Sequence, residues 1–196
     1  MLDFEFMSPT QFVFGRGAEE KVGGKLAERG AKKVLLHFGG QSAVRSGLVD
    51  RVCASLDAAG VECVKLGGVR PNPEIELVRE GVALCKKEGV DWVLAVGGGS
   101  VIDSAKAIAT GACIDEDVWE LFATKRPNEN VLPIAVVLPI PAAGSEASKN
   151  TVISNDALGM KTGYGNEHQR PKLAFMNPEL TFTLPPYQTA AGITDM

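Results

Sequence analysis

Four β-branched apolar runs, each closed by glycine or proline and followed by a change of periodicity, constrain this chain more than anything else in it. They are Lys33–Phe38, 61–66, Trp92–Val96 and 131–138. Runs that are apolar over most of their length, rather than at alternate positions, suit strands covered on both faces, and strands buried in that way are parallel ones. Between them lie segments with helical spacing. Val44, Leu48, Val52 and Leu56 recur at i+4 after Gly39-Gly40-Gln41-Ser42, with Ser42 as the expected N-cap and Gly60 as the stop. Ile75, Val78, Val82 and Leu84 follow the extended turn Pro71-Asn72-Pro73 and end at Lys86, Lys87 and Gly89. Val101, Ile102, Ala105, Ile108 and Ala109 form the stripe of a third helix. Alternating strands and helices predict an α/β fold, a doubly wound and mostly parallel sheet.

The flanks are less regular. Phe4 and Phe6, then Phe12 and Phe14 about a turn with Pro9, predict an N-terminal β-hairpin. Segment 139–177 is rich in Gly, Ser, Asn and charge and predicts loops and edge strands over the sheet ends. Leu184-Pro185-Pro186 closes the unit, so 1–186 is expected as one domain and 187–196 as the start of another.

At 196 residues, 45% apolar and 22% charged, the chain can bury a full core. A net charge of −4 without any Lys/Arg-rich run opposes polyanions, so no nucleic-acid partner is expected. There is neither an apolar run of membrane-spanning length nor the pattern of a signal peptide at the start, and a cytoplasmic protein without a membrane role is expected. Cys53, Cys63, Cys85 and Cys113 form no Cys-x-x-Cys pair and read as reduced structural residues.

Chemistry concentrates in Ala95-Val96-Gly97-Gly98-Gly99-Ser100-Val101-Ile102-Asp103-Ser104-Ala105-Lys106. A buried strand there delivers three glycines to the first turn of a helix, whose free N–H groups suit a phosphate. Glycines let the backbone approach a pyrophosphate, Ser100 is the expected N-cap, and Asp103 could reach back as half a capping box. Ile102 stands where the usual Gly-x-Gly-x-x-Gly fingerprint needs its last glycine, so the nucleotide fold expected is Rossmann-like with a non-standard fingerprint.

Residues 97–106 resemble the signature of group III iron-containing alcohol dehydrogenases, in the butanol dehydrogenase and NADPH-dependent aldehyde reductase branch. Phe14-Gly15-Arg16-Gly17, Pro71-Asn72-Pro73, Ala143-Gly144-Ser145-Glu146, residues 151–154, Lys161, Pro171, Asn177-Pro178, Leu184-Pro185 and residues 190–195 agree in order, so the resemblance covers the whole chain. Two departures are Ala143, where the family commonly has Thr, and Asn177, where it commonly has Asp.

The resemblance implies an N-terminal NAD(P)-binding domain, with most of the metal site on a helical C-terminal domain. It assigns Gly97, Gly98, Gly99, Ser100 and Asp103 to the pyrophosphate and ribose, with Asn72, Ser145 and Lys161 in the same cleft. Asp195 matches the first ligand of an Fe2+ or Zn2+ centre, and the family's three histidine ligands are not matched: His37 and His168 read as ordinary structural or surface residues. A lone carboxylate does not hold a catalytic divalent ion, so this chain reads as a severed, catalytically incomplete piece. No catalytic residue is assigned.

No carboxylate lies between Gly39 and Asp50, and Gly39, Gly40, Ser42 and Arg45 could receive a 2′-phosphate, which favours NADP(H) over NAD(H). The expected substrates are small alcohols and aldehydes, and the expected assembly is a homodimer through the N-terminal hairpin. Glycerol or glycerol-1-phosphate dehydrogenases and a non-catalytic nucleotide-binding module are the alternatives.

Overall fold

The computed structural model describes residue 3, residues 7–141 and residues 143–195, Asp195 by its backbone alone. The chain runs β1 (Gln11–Phe14), α1 (Val22–Ala27), β2 (Lys33–Phe38), α2 (Gln41–Arg45), α3 (Leu48–Ala58), β3 (Glu62–Leu66), α4 (Ile75–Glu88) and β4 (Trp92–Val96). It continues with α5 (Gly99–Gly111), α6 (Trp119–Thr124), β5 (Ile134–Val137), β6 (Asn150–Asn155), β7 (Met160–Gly165), β8 (Leu173–Met176) and α7 (Pro186–Asp195). One sheet holds β1-β8-β5-β4-β2-β3 in that order, with every neighbouring pair parallel.

Alternate strand residues feed two cores. Leu35, Val93, Ala95 and Val136 pack with Val78, Ile102 and Ile108 of α4 and α5. Val34, Leu36, Leu94, Val96 and Val137 pack on the other face with Leu26, Val52 and Leu56 of α1 and α3. Each such side chain contributes about 1.5–3 kcal/mol on burial, which is why both faces carry helices and the fold is the doubly wound α/β one that the sequence predicts.

Two expectations need correction. The helix expected through Val44 and Leu56 is two helices, because Gly47 turns left-handed at φ 69 and restarts the chain as α3. A side chain at Gly47 would meet only Arg51, so backbone conformation rather than crowding asks for glycine. Segment 139–177 is more than loops and edge strands: β6 and β7 form a separate antiparallel hairpin, and β8 enters the main sheet between β1 and β5.

Of the expected N-terminal hairpin one limb is described. Phe12 and Phe14 lie on β1, which pairs parallel with β8 at the sheet edge, Gln11 opposite Leu173 and Phe14 opposite Met176. The other limb, with Phe4 and Phe6, lies outside the described residues. No helix among the described residues is long and apolar enough to cross a membrane.

Candidate cofactor site

Strand order locates a crevice. After β2 the chain crosses one face through α3 to β3, while after β4 it crosses the other face through α5, so the two connections leave the strand ends in opposite directions. Phe38 and Val96 are paired neighbours at that end, and they lead into Gly39-Gly40 and Gly97-Gly98-Gly99. Gly39, Ser42, Gly97 and Gly98, with Ile140 across from them, line a cleft of about 420 Å³.

Each of the three glycines has its own reason. A Cβ on Gly97 would lie 2.5 Å from Val101 Cγ2, so close packing of α5 on its own strand excludes one. On Gly98 it would lie 2.9 Å from Ile140 Cγ2, the facing wall of the cleft. On Gly99 it would meet nothing within 4 Å, and none of the three has a positive φ. Gly98 is extended and precedes α5, whose first turn no side chain caps. N–H groups at such a start have no carbonyl of their own helix to reach and are available to an anion.

Both serine caps expected from the sequence are absent. Gly40 occupies the N-cap position of α2 and Gly98 that of α5, leaving Ser42 and Ser100 inside their first turns. Asp103 does not reach back to the helix start either. Its Oδ1 accepts from the Ser145 hydroxyl at 2.8 Å and its Oδ2 from the Val152 N–H at 3.0 Å. Burial raises its pKa from the usual carboxylate value, against the Ser145 hydrogen bond and the nearby Lys106 ammonium.

Asn72 and Lys161 meet, Nζ donating to Oδ1 at 2.8 Å, in a neighbouring pocket with Ser154 and Asp156. Asn72 takes φ 60, which asparagine tolerates better than most residues, and sits between two prolines. Gly40 and Arg45 are exposed on the α2 side and do not line the cleft.

A different cation does line it. Arg51 of α3 donates from Nη1 to the Ser46 carbonyl at 3.1 Å and pairs through Nε with buried Glu19 at 3.3 Å. Glu19 also accepts from Asn177 Nδ2 at 2.9 Å, and the Asn177 amide oxygen accepts from the Glu179 N–H, fixing the 178–181 turn as a cleft wall. Asn177, at a turn of the resemblance, is the one residue of this arrangement that the sequence singles out; nothing in the sequence marks Arg51.

The remaining titratable groups serve the core. His37 is fully buried beside the cleft, its Nδ1–H donating to the Leu66 carbonyl at 2.9 Å and its Nε2 accepting from Ser104 at 2.8 Å. A carbonyl can only accept, which fixes that tautomer, and burial pulls the pKa down to about 4. His168 is exposed. Burial pushes the Cys63 and Cys85 thiols up to about 12, so they stay protonated.

The sequence model of the iron-containing alcohol dehydrogenases matches residues 9–178. This chain belongs to the iron-containing alcohol dehydrogenase family. A probable NADH-dependent butanol dehydrogenase of Bacillus subtilis is 43% identical over 196 residues, all of this chain and 50% of the relative. An NADPH-dependent aldehyde reductase of Escherichia coli is 35% identical over 198 residues, again all of this chain and 50% of the relative. The crystal structure of an NADH-dependent butanol dehydrogenase A from Thermotoga maritima superposes with TM-score 0.95 at 44% identity, over 98% of this chain and 48% of that one. The chain therefore spans about half the length of the dehydrogenases it matches.

The family's iron finds no complete donor set here. Among the described residues no three His, Cys, Asp or Glu side chains converge on a possible ion position, and Asp195, the expected ligand, has its side chain outside them. The glycine-lined cleft, in contrast, fits a nucleotide: Gly39, Gly97 and Gly98 put no side chain on one side of it, and the start of α5 offers N–H groups.

Proposed function

We propose that this chain is the nucleotide-binding half of a metal-dependent alcohol dehydrogenase or aldehyde reductase, and that it binds NAD(P)(H) in the cleft between the ends of β2 and β4. The observation that carries this reading is the pairing of Gly39 with Gly97 and Gly98 where the connections diverge. In that reading the backbone of 97–100 and the Ser145 hydroxyl hold the pyrophosphate and ribose side, and Asn72 and Lys161 hold the far end of the cofactor. The bound nicotinamide supplies the hydride acceptor or donor. This chain's own residues bind and orient it, and with one candidate metal ligand the chain by itself is expected to be catalytically incomplete. The substrate class proposed for the whole enzyme is small primary alcohols and their aldehydes, and its location is proposed as cytoplasmic.

NADP(H) is the proposed preference, supported by Ser42 and Arg45 and by the lack of a carboxylate between Gly39 and Asp50. The relatives divide on this point, with NADH in the name of the 43% identical one and NADPH in that of the 35% identical one. Calorimetric titration of the Arg45→Ala variant decides it. NADPH affinity should fall by about 1–3 kcal/mol, the worth of one charge-assisted contact, while NADH affinity stays nearly unchanged. Equal losses for both cofactors would contradict the assignment.

A two-fold homodimer through the N-terminal segment is also proposed. Phe12 and Phe14 are 48% and 70% exposed on β1, the edge strand of the sheet among the described residues. Light scattering on the intact chain and on one lacking residues 1–10 should show a dimer that dissociates on deletion; a monomeric intact chain would remove this interface.

A further inference from the structure

Lys106 is the largest fully buried side chain among the described residues, a cation where a helix stripe calls for an apolar residue. Its ammonium donates to the Ser145 hydroxyl at 3.0 Å and to the Asn150 carbonyl at 2.8 Å. The Ser145 hydroxyl in turn donates to Asp103 Oδ1 at 2.8 Å, and Asp103 Oδ2 accepts from the Val152 N–H at 3.0 Å. Thr151 adds a hydroxyl bond to the Asp103 carbonyl at 2.7 Å. Ser145 thus bridges Lys106 to Asp103, and a buried ammonium held in this way contributes little net stability against a well-packed apolar replacement, so its presence asks for another reason.

What the pair joins supplies that reason. Lys106 and Asp103 lie on α5, which starts at the glycine turn. Ser145 lies in the turn at 143–149. Asn150 and Val152 belong to β6, the partner of the strand that carries Lys161, with Ser154 opposite Lys161. One cluster of hydrogen bonds thus ties the 143–149 turn and the Lys161 hairpin to the helix that starts at the glycine turn.

We propose that Lys106 and Asp103 are positioning residues for nucleotide binding, acting through Ser145 and β6 to hold the 143–149 turn and the Lys161 hairpin in register with the first turn of α5. The proposal rests on the nucleotide-binding reading above. Positioning by a charge carries a pH signature. Facing Lys106 are Asp103 on its own helix, Glu146 on the loop and Arg170 beyond β7, and Lys161 faces Asp103. Burial brings the Lys106 pKa down to about 8, with Asp103 and Glu146 opposing and Arg170 adding to the fall. A bound anion favours the charged ammonium, so by linkage affinity is full below that pKa and declines as pH rises through it.

The test is fluorescence titration of NADPH against the unaltered chain and Ser145→Ala, Lys106→Met and Lys106→Arg variants between pH 6.5 and 9.5, with thermal unfolding alongside. NADPH itself has no group titrating above pH 7, since its phosphate's second pKa is near 6. The unaltered chain should bind about five- to tenfold more weakly at pH 9.5 than at pH 7, with a midpoint near 8. Ser145→Ala should melt close to the unaltered chain yet bind about fivefold more weakly and with a flatter pH response, as one lost hydrogen bond implies. Lys106→Arg, wherever it folds, should keep affinity at high pH. A flat pH profile in the unaltered chain overturns the positioning role whatever Ser145→Ala does, because a lost direct contact from Ser145 would weaken binding equally at every pH and a merely structural cluster would alter the melting temperature alone. Failure of the unaltered chain to bind NADPH or NADH at pH 7 overturns instead the nucleotide reading on which it rests.

Discussion

Gly98→Val is expected to fold and to lose affinity for both NADPH and NADH by about a hundredfold or more, some 2.7 kcal/mol. Folding should survive for two reasons. Gly98 already has φ −80 and ψ −167, a region that valine favours. The atom its Cβ would approach, at 2.9 Å, is Ile140 Cγ2, the end of a side chain that can turn aside. Replacing glycine by a β-branched residue before α5 costs roughly 1 kcal/mol of helix stability, small beside the fold. The two added methyls have the cleft as their remaining space, the volume proposed for the pyrophosphate. Circular dichroism melting and calorimetric titration on the same preparation check both halves. A folded variant with unaltered affinity would mean that the glycines serve only the packing of α5 on β4.

The second large effect is loss of stability in acid. His37 has an ordinary pKa of 6.5 when exposed and one of about 4 in the fold, because its imidazole is buried with neutral partners on both nitrogens. The unfolded chain therefore takes up a proton that the folded chain refuses between those two values. Stability from this residue is complete above pH 6.5 and is lost as pH falls to about 4, where the loss amounts to about 3 kcal/mol. Urea unfolding at pH 7, 5.5 and 4 should show that loss in the unaltered chain. His37→Gln can still donate to Leu66 and accept from Ser104 but cannot be protonated, so its stability should fall by about 3 kcal/mol less over the same range. Equal losses in the two proteins would show that His37 is not the group being titrated.

Much of the frame was legible because burial on both faces leaves a strong mark. Lys33–Phe38 and Trp92–Val96 are strands with the bounds their composition predicts, and Gly89 ends α4 left-handed at φ 66. β8 was not legible: four residues between Pro171 and Asn177-Pro178 look like a stretch of loop, and only the neighbours β1 and β5 make Leu173, Ala174 and Phe175 a core. In the site, the glycine turns were visible and their caps were not. Serine beside a helix start suggests a side-chain cap, yet the glycine before it already adopts the required backbone, and the turn is left open. Lys106 was invisible as a buried group because a lysine on a helix normally points to water. The partners that bury it, Ser145 and Asn150, lie far along the sequence.

The place of β8 has a consequence for how the chain assembles. β1 is made first, and its ladder partner, Leu173–Met176, comes from nearly the other end of the sequence. Until that partner is in place, β5 has an open side where β8 will sit and β1 has no sheet to join. Closing so long a loop is slow, and an unpaired strand edge invites other chains in the meantime. During synthesis the phenylalanines of β1 therefore stay unhoused until residues 173–176 have followed them, and a strand that emerges early is housed late.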